Sequence, residues 1–586
     1  MLPTNLRRAG LARLPFAPLK QPSKLGSARD RVLCAAIVLL SSALATAHAQ
    51  ESRVLDDFSD PSRWRVVTSN QVSGSLRQVE GIGGAALCLD YDYNGVSGYV
   101  GLQRDLPLDY PENYRFDFRL RGDSPRNDLQ FKVVDAKGDN VWWVNKPKYE
   151  FPREWTGVRY KKRHIDKAWG PDPDGVLRKS AKLEFTVYNN AGGKGSVCFD
   201  ELTFTTLPPE DRSPLVATAA ASLANGSGVA ANTVDGDPAS AWHADFAAAT
   251  QPALTLDLGK LREFGGLKLV WKQGEFASDY LVQTSDDGTR WRDVRTVVGG
   301  TGGIDYLALP ESEARYLRLS IAGGPGKTFG LAEASVQPLE FAATPNDFIK
   351  SIAGQSPRGM FPRGFIGEQP YWTLVGIDGG RDQGLIGEDG AIELARGGPS
   401  VEPFVQVDGK LSSWADATIS QSLQEGYLPI PTVEWKLPDF GLQVTAFAQG
   451  VPGDSQLVGR YRLTNTTATT RDYVLALAML PFQVNPPTQF LSTVGGVSAI
   501  ESLSISDGRV SLNGKARLQA VQAPASVLAT TFDGGMVGQH LAEGTFSIDG
   551  KAPREASAID SAGLASGALL YTARLAAGES IELAWV

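Results

Sequence analysis

Short apolar runs separated by tight-turn dipeptides recur along the whole chain and restrict what it can fold into. Runs such as 114–120 (YRFDFRL) and 129–134 (LQFKVV) place apolar residues at about every second position, which is the period of a half-buried strand. Asp-Gly, Gly-Gly and Asn-Gly dipeptides between the runs favour turns. The chain contains 63 Gly and 35 Pro, and no long stretch has helical periodicity. We therefore predict an all-β protein.

The length of the chain requires several domains, because 586 residues are too many for one hydrophobic core. Proline and charged residues interrupt the strand pattern near 206–214 and again near 342–345. We predict three tandem β-sandwich or jelly-roll domains, at 50–208, 213–341 and 345–586.

The first fifty residues differ from the rest. Seven Arg and Lys residues precede the apolar stretch 32–47, and Ala47-His48-Ala49 fits the small-x-small cleavage pattern. We predict a signal peptide over 1–49 and export to the periplasm, the cell surface or the extracellular space, with an internal start or an uncleaved anchor as the alternatives. No later apolar run reaches the roughly 18 residues that a membrane span needs.

The charge balance and the scattered histidines disfavour several function classes. The formal net charge is −8, and removal of the basic leader makes the remainder more acidic. Phosphate binding needs a basic face, so we predict no nucleic-acid partner. His164, His243 and His540 lack zinc-like spacing, and neither a Gly-x-Ser-x-Gly elbow nor a phosphate loop occurs.

Two cysteines remain after the predicted cleavage. Cys34 lies in the signal peptide, whereas Cys88 and Cys198 lie in strand-like runs. Because an exported protein meets an oxidising compartment, a disulfide between Cys88 and Cys198 is one prediction. Two small buried thiols are the alternative.

The first predicted domain has a recognisable opening and closing strand. It opens with 54–58 (VLDDF) and Trp64 and closes with 195–204 (GSVCFDELTF). These strands resemble those of family 11 carbohydrate-binding modules and related galactose-binding-like jelly rolls. The resemblance implies a sugar-binding sandwich.

Aromatic residues cluster within a short stretch of this domain. Flat side chains stack on the C–H face of a sugar ring, so the candidate carbohydrate-binding residues are Trp142, Trp143, Tyr149, Trp155 and Trp169. Adjacent Trp142 and Trp143 point to opposite faces of a strand, and at most one of them lines a groove on a sheet face. The alternative is that most of the five belong to the core.

The second predicted domain carries an ordered series of motifs: 231–242 (ANTVDGDPASAW), 254–259 (LTLDLG), 280–291 (YLVQTSDDGTRW) and 315–319 (RYLRL). The series resembles the discoidin domain, also called the coagulation factor 5/8 C-type domain or family 32 carbohydrate-binding module. The resemblance implies a β-sandwich that binds its ligand through loops at one end. His243, Trp271, Lys272 and Phe276 are ligand candidates by position alone, whereas Trp242 is expected in the core.

The same resemblance implies a structural calcium ion. In that family an Asp-Gly-Asp loop commonly wraps Ca²⁺, which takes hard oxygen ligands. The matching residues are Asp235, Asp237 and Ser240, with Glu333 as the carboxylate that returns late in the chain. An Asx turn without metal is the alternative.

The third predicted domain contains 362–376 (PRGFIGEQPYWTLVG), 378–390 (DGGRDQGLIGEDG) and 474–487 (VLALAMLPFQVNPP). These runs resemble the β-sandwich that precedes the helical barrel of six-hairpin glycoside hydrolases, whose catalytic carboxylates lie on the barrel. The densest charged cluster comprises Glu368, Asp378, Arg381, Asp382, Glu388 and Asp389. A catalytic cleft and solvated loops or a domain interface are the two interpretations of this cluster.

Together these features predict an exported carbohydrate-binding multidomain protein, the non-catalytic front part of a polysaccharide-acting system. Its partners would be a polysaccharide or glycan and a catalytic domain or protein, and structural Ca²⁺ is the one cofactor predicted. A glycoside hydrolase whose helical barrel is missing from this chain, and a cell-surface adhesion protein, are the alternatives.

Overall fold

The computed structural model describes residues 51–222, 229–247, 251–488, 494–549 and 552–586. Strands dominate this part of the chain, and it has two α-helices, so the prediction of an all-β fold is confirmed. The chain divides into a first unit that ends at Arg212 and a second unit that begins at Ser213. The predicted signal peptide lies outside the described residues.

Twelve strands among the described residues form the first unit: β1 Ser52–Asp56, β2 Arg65–Thr68, β3 Ser73–Glu80, β4 Ala85–Asp92, β5 Tyr99–Asp109, β6 Tyr114–Asp123, β7 Asp128–Val134, β8 Val141–Lys146, β9 Thr156–Lys161, β10 Asp166–Trp169, β11 Lys179–Tyr188 and β12 Lys194–Thr206. They pair into two six-stranded sheets. Sheet I has the order β3-β4-β12-β6-β9, with β1 beside β12, and sheet II has the order β10-β8-β7-β11-β5-β2. All pairs are antiparallel.

Aromatic rings from both sheets fill the space between them. The Phe185 ring of sheet II lies 4.2 Å from that of Phe199 and 5.0 Å from that of Phe118, both in sheet I, measured between centroids. Phe131 of sheet II packs in the same cluster. Because successive side chains of a strand alternate between faces, the residues between these inward positions of sheet II point to its outer face.

Seven strands of the second unit form the middle domain: β13 Thr218–Ala221, β14 Trp242–Asp245, β15 Ala253–Trp271, β16 Asp279–Ser285, β17 Arg292–Val297, β18 Ile304–Gly323 and β19 Thr328–Gln337. The long strand β15 pairs early with β13 and late with β19. Its register against β18 shifts between Asp257 and Arg262, where bulges let a strand bend. One strand therefore serves both layers of a sandwich around the fully buried Trp242.

The remaining described elements form the C-terminal domain: α1 Pro345–Ala353, β20 Trp372–Gly376, β21 Gln383–Gly387, β22 Ile392–Glu393, β23 Ser400–Val407, β24 Lys410–Ser412, β25 Thr418–Gln424, β26 Leu428–Lys436, β27 Phe440–Val451, β28 Asp454–Asn465, β29 Arg471–Leu480, β30 Ser502–Ser506, β31 Arg509–Leu512, β32 Lys515–Gln519, β33 Ser526–Thr530, α2 Val537–Glu543, β34 Glu555–Ile559, β35 Ser566–Leu575 and β36 Ser580–Trp585. They build an eight-stranded sheet, β20-β21-β22-β23-β29-β35-β33 with β24 beside β23. A five-stranded sheet, β25-β26-β27-β28-β36, and a four-stranded sheet, β32-β31-β30-β34, complete the domain.

The eight-stranded sheet is covered on both faces. One face packs on the five-stranded sheet around Trp435 and Tyr461, and the other face packs on α1 and α2 around Phe404. Strand β29 accordingly consists of an almost unbroken buried run, as expected for a strand with no solvent face. Helix α1 begins where the Thr344 hydroxyl accepts the Asp347 backbone N–H, a typical N-cap.

The middle and C-terminal domains are packed against each other within the second unit. Tyr306 and Ala308 of β18 contact the apolar cluster beneath the helices, and Arg295 of β17 forms an ion pair with Asp533 (2.7 Å). At Gly266 a Cβ atom would lie 2.6 Å from the Phe341 ring and 2.4 Å from the Leu307 carbonyl oxygen. Only glycine fits this close approach.

Candidate functional site

The outer face of sheet II carries a row of polar side chains that crosses all six strands. Cross-strand register places the members directly opposite one another in the order Arg65, Gln103, Glu184, Lys132, Trp143 and Asp166. We call these six residues the polar row. With strands about 4.8 Å apart, it extends over roughly 24 Å, a length that accommodates several sugar rings.

Glu184 occupies the centre of the polar row and is held by three donors. Its Oε2 accepts the Gln103 side-chain amide (2.6 Å), and its Oε1 accepts Lys132 Nζ (3.2 Å) and the Thr186 hydroxyl (2.5 Å). Arg65 donates to the Gln103 side-chain oxygen and pairs with Asp105 (3.3 Å). This network fixes the side chains before any ligand arrives, which lowers the entropic cost of binding.

Aromatic side chains lie both within the polar row and beside it. Trp143 and Trp169 lie edge to face, with centroids 5.6 Å apart and planes at 84°, and Trp169 is 50% exposed. Tyr99 and Tyr188 are register partners on β5 and β11 and are 36% and 40% exposed. Aromatic faces beside hydrogen-bonding groups match a sugar, which has apolar C–H faces and a polar edge.

The structure brings together two of the five aromatic residues predicted for sugar binding, Trp143 and Trp169. Trp142 points to the opposite face, as predicted for a neighbour of Trp143. It is only 4% exposed in the core and donates its indole N–H to the Gly175 carbonyl (2.6 Å). The Trp142 side chain is therefore not accessible to a ligand.

The other two predicted aromatic residues lie elsewhere. Tyr149 packs against the edge of the core, with its ring 5.1 Å from that of Phe151, and burial raises the pKa of its hydroxyl. Trp155 immediately precedes β9 of sheet I, and the Arg121 guanidinium lies 4.8 Å from its ring centroid. Neither belongs to the face of sheet II.

Sequence reasoning missed the polar members of the row, among them Arg65, Gln103, Glu184 and Lys132. Alternation within each strand marks these positions as outward-facing. The pairing of β5 with β11 and of β11 with β7, which joins them into one row, connects segments far apart in the chain and leaves no local signal.

Cys88 and Cys198 form a disulfide in the first unit. They are register partners on β4 and β12 although 110 residues separate them along the chain. The bridge ties two strands of sheet I and leaves both residues almost fully buried.

The Asp-Gly-Asp loop of the middle domain places carboxylates from two elements side by side. Asp235 accepts the Asp237 backbone N–H and the Ser240 hydroxyl, each at 2.9 Å, and these bonds lower the pKa of its carboxyl. Burial and the neighbouring Asp235 charge raise the pKa of Glu333. Glu333 Oε1 is buried without a hydrogen-bond partner.

These residues fit an oxygen-liganded cation, because an orphaned buried carboxylate oxygen facing a second carboxylate is stabilised by a positive charge. Asp237 turns its own carboxylate to the Ala239 backbone N–H (2.9 Å). Within the described residues no three His, Cys, Asp or Glu side chains form a metal-binding group. A cation here would therefore depend on Asp235, Glu333 and neutral oxygens.

The four loop candidates of the middle domain do not form one surface. Trp271 is 4% exposed and donates its indole N–H to Asp305 (2.7 Å), and Phe276 packs against the core. His243 lies 3.4 Å from Glu275, and Lys272 donates to the carbonyl oxygens of Pro238 and Ala239. Lys272 thus lies beside the Asp-Gly-Asp loop.

The charged cluster of the C-terminal domain divides into two groups. Asp378, Arg381 and Asp382 are exposed in the turn between β20 and β21. Glu368, Glu388 and Asp389 instead surround the Arg363 guanidinium at 2.8, 3.6 and 2.7 Å.

Arg363 and Arg358 also contact the buried Trp414 ring, at 4.2 and 4.5 Å from its centroid. Burial raises the pKa of Asp389 to about 6 although Arg363 opposes this shift. The arrangement is an ion-pair network that joins loops, with its carboxylates engaged by arginine rather than open to a substrate.

No helix in the described ranges is both long enough and apolar enough to cross a membrane.

Several solved structures are similar to parts of the chain. The family 11 carbohydrate-binding module of Clostridium thermocellum, in complex with a β-1,3-1,4-mixed-linked tetrasaccharide, is 20% identical and covers 26% of this chain and 94% of its own, with a TM-score of 0.23. A family 32 module of Clostridium perfringens, in complex with GalNAc-β-1,3-galactose, is 22% identical over 21% of this chain and 99% of its own, with a TM-score of 0.20. Chitosan-binding module 1 of a Paenibacillus chitosanase/glucanase is 30% identical over 21% and 96%, with a TM-score of 0.20.

Two sequence matches complete the comparison. A curated sialidase of Micromonospora viridifaciens is 32% identical over 101 residues, which amount to 16% of this chain and 16% of the sialidase. The match therefore spans about a sixth of that protein. Residues 217–334 match the F5/8 type C domain family. The middle domain of this chain is therefore an F5/8 type C, or discoidin, domain.

Proposed function

We propose that this chain is an exported carbohydrate-binding protein whose first unit holds a polysaccharide along the polar row of sheet II. The observation that carries the proposal is the register of six strands, which aligns hydrogen-bonding side chains with the Trp143–Trp169 pair at one end. Hydroxyl-rich chains need repeated donors and acceptors in line, with aromatic faces beside them.

The same geometry favours binding over catalysis at this site. Both Glu184 oxygens already accept hydrogen bonds from Gln103, Lys132 and Thr186. Glycoside hydrolysis needs one carboxylic acid that donates a proton and a second carboxylate that attacks or activates water. Because the Glu184 carboxylate is already hydrogen-bonded to three neighbours, we assign it the role of holding the side chains of this face in place.

The discoidin domain supports the proposal as a second binding module. Two modules joined in one chain raise the effective concentration of each for a polymer that both can reach. The local identity to a protein named a sialidase is in keeping with a role beside carbohydrate-active enzymes. We place the chain as the non-catalytic front part of such a system, acting with a catalytic domain or protein.

We also propose that Ca²⁺ stabilises the discoidin domain at Asp235 and Glu333. The buried, partnerless Glu333 Oε1 is the feature that supports it. The role is structural, because the ion would close the 235–240 loop onto β19 and neutralise two adjacent carboxylates.

Affinity electrophoresis of residues 50–586 through gels that contain neutral or acidic plant and bacterial polysaccharides tests the main proposal. Wild-type protein should be retarded by at least one polymer, Trp143→Ala should lose most of that retardation, and Trp155→Ala on the other sheet should keep it. Equal retardation of both variants, or none for the wild type in any gel, would refute the assigned face.

Two further measurements address the alternatives. If the purified protein released reducing sugar from a polysaccharide that retards it, the hypothesis of a glycoside hydrolase would be supported. Adhesion to glycan-free protein or lipid surfaces would support the hypothesis of an adhesion protein.

Export is tested by N-terminal sequencing of the secreted form, which should begin at Gln50.

A further inference from the structure

A cavity of about 350 Å³ lies between the discoidin domain and the helix-covered side of the C-terminal domain. Its size is at the lower end of the range for small-molecule sites. Residues 301–306 of the discoidin domain form one wall, and residues from α1, α2 and the loops that follow α1 and precede α2 form the other. The polar row lies in the first unit, so this cavity is a separate site.

Adaptable apolar side chains line most of the cavity. Phe361, Phe404 and Phe532 contribute aromatic surface, and Met360 and Met536 contribute thioethers. The whole chain has 4 Met, and two of them are here. Methionine fits its shape to ligands of different outline, so the lining favours a compact apolar body.

The polar part of the lining is acidic. Asp305, Asp533 and Glu543 contribute carboxylates, and the described lining residues include no Lys, Arg or His. Lys268 approaches the Tyr306 ring at 5.6 Å but donates its hydrogen bond to Gln355 (2.7 Å). The charge facing the cavity is therefore negative.

Asp305 differs from Asp533 in lacking a cationic partner. Asp533 pairs with Arg295 at 2.7 Å, whereas Asp305 accepts only the indole N–H of Trp271 (2.7 Å) and the hydroxyl of Tyr280 (2.6 Å), both on Oδ2. Burial raises the pKa of Asp305 to about 6, and the Asp533 charge adds to the shift. The carboxylate is largely ionised at pH 7.5 without a neutralising charge beside it.

We propose that this cavity binds a small organic cation with an apolar body, such as an arylalkyl ammonium. The ammonium group would sit at the Asp305 carboxylate, where it supplies the missing positive charge. The apolar body would lie against the Phe and Met side chains. The Tyr306 and Phe532 rings at the same cavity offer faces that attract a cation.

Isothermal titration of residues 50–586 with 2-phenylethylammonium at pH 7.5 tests this proposal, with 2-phenylethanol as the neutral analogue of matched shape. We expect saturable binding of the amine, and affinity for the alcohol at least about tenfold weaker. Asp305→Asn keeps an oxygen for Trp271 and Tyr280 but removes the charge, and should weaken the amine at least about tenfold. Glu582→Gln, on an exposed position of β36, should leave the affinity unchanged.

A second variant keeps the proposal testable if Asp305→Asn fails to fold. Met536→Trp places a larger side chain in the cavity and leaves Asp305 and Asp533 unchanged in the sequence. It should also weaken amine binding, while its unfolding temperature stays near that of the wild type. Absence of binding by the wild-type protein at millimolar amine, equal affinity for the alcohol, or undiminished binding by folded Asp305→Asn would each overturn the proposal. The outcome of the polysaccharide assay has no bearing on this proposal, because the Trp143→Ala and Trp155→Ala variants compared there lie in the first unit and the amine titration uses neither.

Discussion

Lys132 and Glu184 lie opposite each other on β7 and β11, with Nζ 3.2 Å from Oε1, and they are only 9% and 7% exposed. An ion pair so far removed from water on the outer face of a sheet is unusual, because charged residues are seldom buried unless paired. Gln103 and Thr186 also donate hydrogen bonds to Glu184, and the Tyr99 ring centroid lies 5.6 Å from Lys132 Nζ. The pair therefore links the stability of the first unit to the order of the proposed binding face.

Removal of one member of the Lys132–Glu184 ion pair should lower the free energy of unfolding of the first unit. Lys132→Met leaves Glu184 charged and poorly solvated, and we expect the free energy of unfolding to fall by about 3 kcal/mol. The double variant Lys132→Met/Glu184→Gln should recover part of this loss because no unpaired charge remains. Urea unfolding measures both, with Lys146→Met on the exposed end of β8 as the matched control. A double variant that loses as much stability as Lys132→Met and Glu184→Gln lose separately, taken together, would contradict the coupling of the two residues.

The direction of the bound polysaccharide is a second prediction. If the polysaccharide follows the polar row, Arg65 on β2 and Trp169 on β10 contact its two ends. Arg65→Ala and Trp169→Ala should each weaken binding of a long oligosaccharide by about tenfold, or about 1.4 kcal/mol. A trisaccharide that spans half of the row should respond to only one of them in titration calorimetry. Equal responses of short and long ligands to both variants would exclude this orientation.

The sequence predicted the elements better than their assembly. Alternation along 114–120 predicted a strand with one buried face, and β6 alternates between buried and partly buried residues there. The same prediction for 129–134 is wrong, because β7 is buried on both faces. Adjacency alone predicted that Trp142 and Trp143 would point to opposite faces. The polar row was beyond prediction, because Gln103, Glu184 and Lys132 meet through strand pairing across more than fifty residues of chain. Pairing of this kind is decided by the packing of the whole sandwich, with no trace in local composition.

The disulfide gives a third prediction. Cys88–Cys198 closes a loop of 110 residues, and a cross-link of that length restricts the unfolded chain strongly. The variant Cys88→Ala/Cys198→Ala should lose roughly 4 kcal/mol of unfolding free energy. Mass spectrometry of the unreduced wild type should find no alkylatable thiol at either position. Two free thiols would show that the bridge does not form in the protein, and a variant as stable as the wild type would show that it contributes little to stability.

Calcium dependence gives a fourth prediction. A cation at Asp235 and Glu333 would stabilise the folded domain by about 2.7 kcal/mol when free Ca²⁺ is a hundredfold above the dissociation constant. Calcium should therefore raise the unfolding temperature by several degrees, and chelator should reverse the shift. Glu333→Gln should abolish the response, whereas the exposed Glu340→Gln should retain it. An unfolding temperature indifferent to Ca²⁺ in the wild type would favour the metal-free turn.

A fifth prediction concerns pH and the buried carboxyl group of Glu402 in the C-terminal domain. The residue is 6% exposed, and its Oε1 accepts the Ser400 hydroxyl at 3.1 Å. Burial raises its pKa to about 7, with a smaller contribution from the Asp389 charge. In the unfolded chain the group titrates near its ordinary value of about 4.3.

Because the folded pKa of Glu402 lies above the unfolded one, the unfolded chain releases the proton first as the pH rises. The contribution of this group to stability is thus fully present below about pH 4.3 and is lost up to about pH 7, with a total loss of roughly 3 to 4 kcal/mol. Glu402→Gln cannot ionise, so its stability relative to the wild type should improve by that amount between pH 4 and pH 8. Denaturant titrations at the two pH values measure the change, with Glu425→Gln in an exposed turn as the control. If the difference between Glu402→Gln and the wild type were the same at both pH values, the pKa of Glu402 in the folded domain would lie near its ordinary value, and an unrecognised donor or cation would have to stabilise its charge.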